Sequence, residues 1–240
     1  MNASAMNTDD PHPKFYGRRK GHPLRARAGQ LVDDLLPRVE IQGPGADAAP
    51  GSLDPAGLFD VSPREVWLEI GFGKGEHLAG QAASNRDVGL IGCEPFINGV
   101  AGLLMEIEDR DLRNVRIYAD DARHLLKALP DQSIDRLFLL FADPWPKTRH
   151  HKRRFVQPDN LDELARVLKP GAEFRFATDH MGYCRWALAH VMNHPAFEWL
   201  AEGPEDWRVR PDDWQETRYE HKALGQGKRC VYLRFRRVGG

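Results

Sequence analysis

From residue 65 onward the chain alternates short apolar runs with amphipathic ones, and this alternation limits the folds open to it more than any other feature. Val66–Ile70, Val88–Cys93, Val115–Tyr118, Ile134–Phe141, Glu173–Ala177 and Cys230–Phe235 read as strands. Between them, Ile97, Val100, Leu104 and Ile107 share one helical face. A second helix starts near Pro158, buries Leu161, Leu164, Ala165 and Leu168, and stops at Lys169-Pro170-Gly171. Met181, Cys184, Leu188 and Val191 mark a third. Strand and helix in strict alternation predict an α/β fold built on a mostly parallel sheet. A chain of 240 residues is long enough to bury such a core without disulfides.

Open parallel sheets bind ligands beyond the carboxyl ends of their strands. Five predicted strand ends carry an acid: Glu69, Glu94, Asp121, Asp143 and Asp179. The first is followed by Gly71-Phe72-Gly73-Lys74-Gly75, glycines that permit a tight turn and close approach to a ligand. Glu94 closes the next strand, near the spacing of an acid that grips ribose hydroxyls. A carboxylate at Glu69 would repel a pyrophosphate, which prefers GxGxxG and a helix N-terminus. S-adenosylmethionine carries a sulfonium and an amino group instead. It fits better: Glu69 toward the methionine end, Glu94 on the ribose, Asp121 near the adenine. Asp121 has a second reading as the cap of a helix at 122–129.

The most specific stretch follows the fourth strand. In Asp143-Pro144-Trp145-Pro146-Lys147 the two prolines forbid a regular helix and hold the side chains at the pocket mouth. Trp145 either stacks on a substrate base or packs against the strand end. Arg149, His150, His151, Lys152, Arg153 and Arg154 come next, and beside a pocket they read as an anion contact. The two adjacent histidines have no cysteine or carboxylate at ligand spacing, so no metal is expected. Formal net charge is -1, which argues against polyanion binding through global charge but leaves room for local patches. Three such clusters stand out: residues 14–27 (Lys14, Arg18, Arg19, Lys20, Arg25, Arg27), the 149–154 run, and Lys228, Arg229, Arg234, Arg236 and Arg237. Acids between Glu202 and Asp213 offset them.

Residues 1–41 read as a basic arm with a short amphipathic stretch at Leu31, Leu35, Leu36 and Val39. Residues 42–60 read as a Gly/Pro-rich flexible tether, and residues 61–240 as the α/β domain. Three dispersed cysteines, no secretory signal and no run long enough to span a bilayer point to the cytoplasm.

The segments EIGFGKGEHL (69–78), IGCEPFINGV (91–100), DPWPKTRHHKRRFVQP (143–158), ATDH (177–180) and TRYEHKALGQGK (217–228) together resemble the bacterial tRNA (guanine-N7-)-methyltransferase family. The resemblance implies a Rossmann-like, seven-stranded, mostly parallel sheet with helices on both faces. It implies S-adenosylmethionine as cofactor and tRNA as substrate partner; no obligatory protein partner is evident from the sequence. It also implies roles. Glu69, Gly71, Gly73, Glu94, Asp121 and Asp143 would bind cofactor, and Asp143 would be catalytic. Lys147, Asp179, Thr217, Arg218, Tyr219 and Glu220 would contact substrate. The last motif departs from the family's Thr-Lys-Phe-Glu while keeping its charge and aromaticity. Three rivals stay open: a methyltransferase of the same fold with another substrate, an NAD-dependent oxidoreductase, and a non-catalytic RNA-binding protein.

Overall fold

The computed structural model of the chain describes residues 16–239; Lys14 and the rest of residues 1–15 of the expected arm lie outside the described residues. Seven strands form one sheet: β1 (Glu65–Ile70), β2 (Val88–Cys93), β3 (Val115–Tyr118), β4 (Ile134–Leu140), β5 (Leu168–Thr178), β6 (Phe197–Trp199) and β7 (Val231–Arg237). Their order is β3-β2-β1-β4-β5-β7-β6, and only β7 runs against the others. The chain winds outward in both directions from the β1–β4 pair. That pair is the switch point at which open α/β sheets place their ligand crevice.

The central strands are covered on both faces, hence their nearly unbroken apolar runs. On β4, Leu137 and Leu139 join one buried cluster with Leu161 and Leu164 of α6 (Pro158–Val167) and Tyr183 of α7 (Met181–Met192). Phe138 and Leu140 join the opposite cluster with Leu78 of α3 (Glu76–Ser84) and Val100, Leu103 and Leu104 of α4 (Ile97–Asp109). The strand and helix readings hold, with three differences. Lys169-Pro170-Gly171 lies inside β5 rather than ending α6, and the β4–β5 register shifts between Ile134 and Arg136. The polar stretch before β7 contains two helices not expected from the sequence, α8 (Glu205–Arg208) and another at Arg218–Gly225. The three-residue β6 supplies the seventh strand.

The segment before the sheet is packed against it rather than hanging free. Leu31 of α1 (Ala26–Asp34) and Leu36 and Val39 of α2 (Leu36–Val39) are buried with the α4 face. Arg27 pairs with Glu108 and Asp109 at the end of α4. Ile41 donates to the Ile117 carbonyl at 2.7 Å, extending the sheet edge beyond β3. The Gly/Pro-rich stretch is fastened too: Tyr118 donates to the Pro44 carbonyl and the Leu53 N–H to that of Ala128. Those bonds satisfy backbone groups that would otherwise require solvent.

Candidate active site

The turn after β1 depends on glycine. Gly71, Gly73 and Gly75 have φ of 73°, 60° and 84°, a region costly for side-chain-bearing residues. Gly99, unnoticed in the sequence, lets α4 approach: a Cβ there would stand 2.2 Å from the Gly73 carbonyl oxygen. Glu94 ties this turn to the end of β2. Its two oxygens accept from Gly73 N–H and Phe96 N–H, each at 3.0 Å. Burial pushes the Glu94 carboxyl up to about 7; the two N–H bonds oppose the shift, and the nearby Asp143 and Glu69 add to it. Glu69 is enclosed and accepts from His77 rather than standing bare in the cleft. Asp121 takes its capping role: it accepts from Arg123 N–H at the start of α5 (Ala122–Ala128) and pairs with the Arg123 guanidinium.

After β4 the chain turns sharply, with φ of 53° at Phe141 and 41° at Trp145. These positions need outside support. Phe141 N–H donates to the Ala177 carbonyl at 2.8 Å. Arg154 donates through Nε to the Pro144 carbonyl at 2.8 Å and through a second nitrogen to Gly182, with Tyr183 and Trp186 rings beside its guanidinium. Only 2% exposed, Arg154 differs from the rest of its run: it points inward and holds the turn instead of facing a ligand. Asp143 stays open to solvent, yet crowding by the surrounding protein raises its carboxyl above the usual range while Arg18 acts the other way.

Lys147, Arg149 and Lys152 stand exposed around a 3-10 turn at Thr148–Arg153. Arg153 lies over the rings of Tyr16 and Trp145 at 4.5 and 5.0 Å. His150 meets Trp145 edge-on and His151 meets Trp186; burial, then Arg153, Arg149 and Lys147, depress His150. Trp145 is half-buried and packs against Tyr16, His150 and Arg153 rather than against the strand end. From Tyr16 the chain crosses to the start of α4, where Ile97 N–H donates to the Arg19 carbonyl and Asn98 bonds both Gly21 and His22. Sequence reading gave this strap a charge but not a path.

The last motif opens α9 (Arg218–Gly225). Thr217 caps it by accepting from Glu220 N–H at 3.1 Å. Glu220 is buried and accepts from the Tyr232 hydroxyl at 2.5 Å. Both side chains are therefore engaged in holding the helix. Arg218 and Tyr219 are exposed, and Tyr219 lies over the glycine turn, where a Cβ on Gly73 would be 2.8 Å from its ring. Burial, then Glu94, Asp143 and Glu76, raise its hydroxyl. Asp179 at the end of β5 pairs with Lys228 at 2.6 Å. The structure brings Glu69, Glu94, Asp143 and Tyr219 together at the switch point, leaves Asp121 and Asp179 paired at neighbouring strand ends, and sets the exposed cations at the rim. No helix among the described residues is long and apolar enough to cross a membrane.

A seven-stranded sheet with this order, a glycine turn after β1 and acids at the switch point defines an α/β methyltransferase. Residues 63–233 match the family model described as "Putative methyltransferase". The fold resembles an antibiotic-related methyltransferase (TM-score 0.51, 20% identity, 76% of this chain and 90% of that one). It also resembles the 16S rRNA methyltransferase KamB (TM-score 0.50, 16% identity, 80% and 99%). Sequence relatives are much nearer. A tRNA (guanine-N(7)-)-methyltransferase of Rhodospirillum rubrum is 54% identical over 93% of this chain and 88% of its own length. Namesakes from Roseobacter denitrificans (52%; 94% and 96%) and Zymomonas mobilis (49%; 94% and 94%) are similar. The chain belongs to the tRNA (guanine-N(7)-)-methyltransferase family.

Proposed function

We propose that the chain transfers a methyl group from S-adenosylmethionine to N7 of a guanine in tRNA, in the cytoplasm. Family membership over nearly the whole chain supports the reaction. One observation carries the cofactor class: Glu69, Glu94 and Asp143 come from the ends of the adjacent strands β1, β2 and β4, at the switch point and behind a glycine turn. An acidic cluster of that kind suits a cation and opposes a pyrophosphate. The residues fit the cofactor. Glu94 keeps lone pairs beyond its two backbone bonds for ribose hydroxyls. Glu69 Oε1 receives no hydrogen bond among the described residues. Residues 61–240 are assigned to catalysis, and the basic residues of the 1–41 segment to RNA contact.

When bound, S-adenosylmethionine supplies an electrophilic methyl carbon on a cationic sulfur. Guanine N7 has an in-plane lone pair and no proton, so no protein base is needed before attack. With the cofactor held by Glu69 and Glu94, N7 would take that carbon with the carbon–sulfur pair left on sulfur, and positive charge would appear on the base. Asp143, exposed just past β4, would stabilise that charge and accept from the base's donors. Arg154, by fixing Pro144, holds Asp143 in place. Tyr219 and the 16–22 strap flank the cleft and exclude water. Lys147, Arg149, Lys152 and Arg218 face solvent where they can meet phosphates that offset the cost of exposing the base.

The test is incubation with unmodified tRNA transcripts and methyl-labelled S-adenosylmethionine, followed by nucleoside analysis. Label in 7-methylguanosine is expected. Bound cofactor with no label in tRNA would overturn the substrate assignment, and no cofactor binding would overturn the site.

A further inference from the structure

Glu69 is 3% exposed, and an enclosed carboxylate needs hydrogen-bond partners. One comes from a residue outside the expected site. His77, in the first turn of α3 and 1% exposed, places Nδ1 2.7 Å from Glu69 Oε2. On the other edge of the ring, Nε2 lies 3.3 Å from the Gln81 amide nitrogen, which also donates to the Asp213 carbonyl at 2.5 Å. An amide nitrogen only donates, so Nε2 is the acceptor and the ring hydrogen sits on Nδ1, directed at Glu69.

The ring has one place to be. Phe138 meets it edge-on at 4.8 Å and Trp214 at 6.4 Å. The loop bearing Trp214 is pressed onto α3: a Cβ on Gly80 would stand 2.3 Å from Gln215 Cγ. His77 engages Oε2, while Oε1 accepts no hydrogen bond among the described residues and keeps both lone pairs for a ligand.

We propose that His77 is a positioning residue for cofactor binding. It fixes the rotation of the Glu69 carboxylate and, through Gln81, fastens that acid to the 211–216 loop that leads into α9. The inference rests on the reading of Glu69 as a cofactor contact. It adds a residue that neither touches the cofactor nor lies in the glycine motif, and it links the cofactor acid to the element carrying Tyr219.

An isosteric pair tests it in the full chain, with calorimetric binding of S-adenosylhomocysteine as the readout. His77→Asn can place an amide donor where Nδ1 stands; His77→Gln extends its amide to the Nε2 position. His77→Gln should weaken binding about tenfold, as expected for loss of a hydrogen bond to a charged group, and His77→Asn by less than about threefold. Filter-binding affinity for tRNA should stay within about twofold in both, since no phosphate-facing group changes. Glu69→Gln should weaken the ligand on its own, and His77→Gln added to it should cost little more, the non-additivity of groups acting as one unit. Equal affinities for the Asn and Gln variants, or additive losses in the double variant, overturn the role of His77. An unchanged affinity in Glu69→Gln overturns instead the reading of Glu69 on which it stands.

Discussion

Glu94 is under opposed demands. Burial disfavours its charge, while Gly73 and Phe96 N–H groups favour it, and the balance leaves the carboxyl at about 7 against an ordinary value near 4.5. Between those values the folded chain keeps a proton that the unfolded chain has lost. The Glu94 contribution to stability therefore declines as pH rises through that window. Ribose hydroxyls donating to the carboxylate would favour the ionised form, so ligand binding near neutrality should expel a proton. Affinity for S-adenosylhomocysteine should rise between pH 6 and 8, by less than about tenfold per pH unit. Calorimetry in buffers of different ionisation enthalpy reads the released proton directly; a flat profile with no buffer dependence would show that Glu94 does not meet the ligand. The role proposed for Asp143 makes a different demand, since charge would develop on the base only during transfer. Asp143→Asn should lower kcat by about a hundredfold. Cofactor affinity should fall far less, because Glu69 and Glu94 remain, the signature of a contact made chiefly in the transition state. Near-normal turnover would remove Asp143 from the mechanism.

At the scale of elements, the turn after β4 and helix α9 are built from groups that resemble ligand contacts. Arg154 holds the Pro144 carbonyl from a buried position. Arg154→Leu should lower unfolding free energy by about 1–3 kcal/mol, the cost of an orphaned buried acceptor. Arg149→Ala on the exposed turn should shift it by less than about 0.5 kcal/mol in the same denaturant titration. Equal effects would contradict the inward path of Arg154. Sequence showed Arg154 as one cation among several because a charge run carries no record of which side chain turns inward. The buried strands were legible nearly residue by residue, since their faces are apolar on both sides. Helix α9 was not: its inward positions include Thr217 and Glu220, which bury hydrogen bonds rather than hydrocarbon. Strand β6 pairs only three residues with β7, too few to show a period. The glycine turn and the acids at the strand ends were legible as a candidate site. The partners of those acids, His77 for Glu69 and Arg123 for Asp121, became visible only once the helices were packed.

Over the whole molecule, a net charge of -1 hides an uneven distribution. Many cations are neutralised where they stand: Arg27 by Glu108 and Asp109, Arg175 by Glu173 and Asp213, Arg166 by Asp131 and Glu163. The carboxy-terminal cluster is largely neutralised as well, through Lys228–Asp179, Arg234–Glu173 and Arg236–Glu198. Lys147, Arg149 and Lys152 form no ion pair among the described residues, and they share one turn beside the cleft. What an RNA meets is this residual field rather than the sum of charges, and a chain near neutrality can still release counterions from a polyanion. Replacing Arg149 and Lys152 together by alanine should weaken tRNA binding and lower the slope of log affinity against log salt by about 1.4–1.8, at ~0.7–0.9 per phosphate contact. Binding of S-adenosylhomocysteine should be unchanged, because neither residue borders the glycine turn. The same substitution at Arg234 and Arg236 should leave the salt slope nearly intact, since those guanidinium groups already have carboxylate partners. A reversed pattern, with the slope falling for the carboxy-terminal pair and not for the turn, would move the RNA to the far edge of the sheet. The base would then have to reach Asp143 from the β7 side.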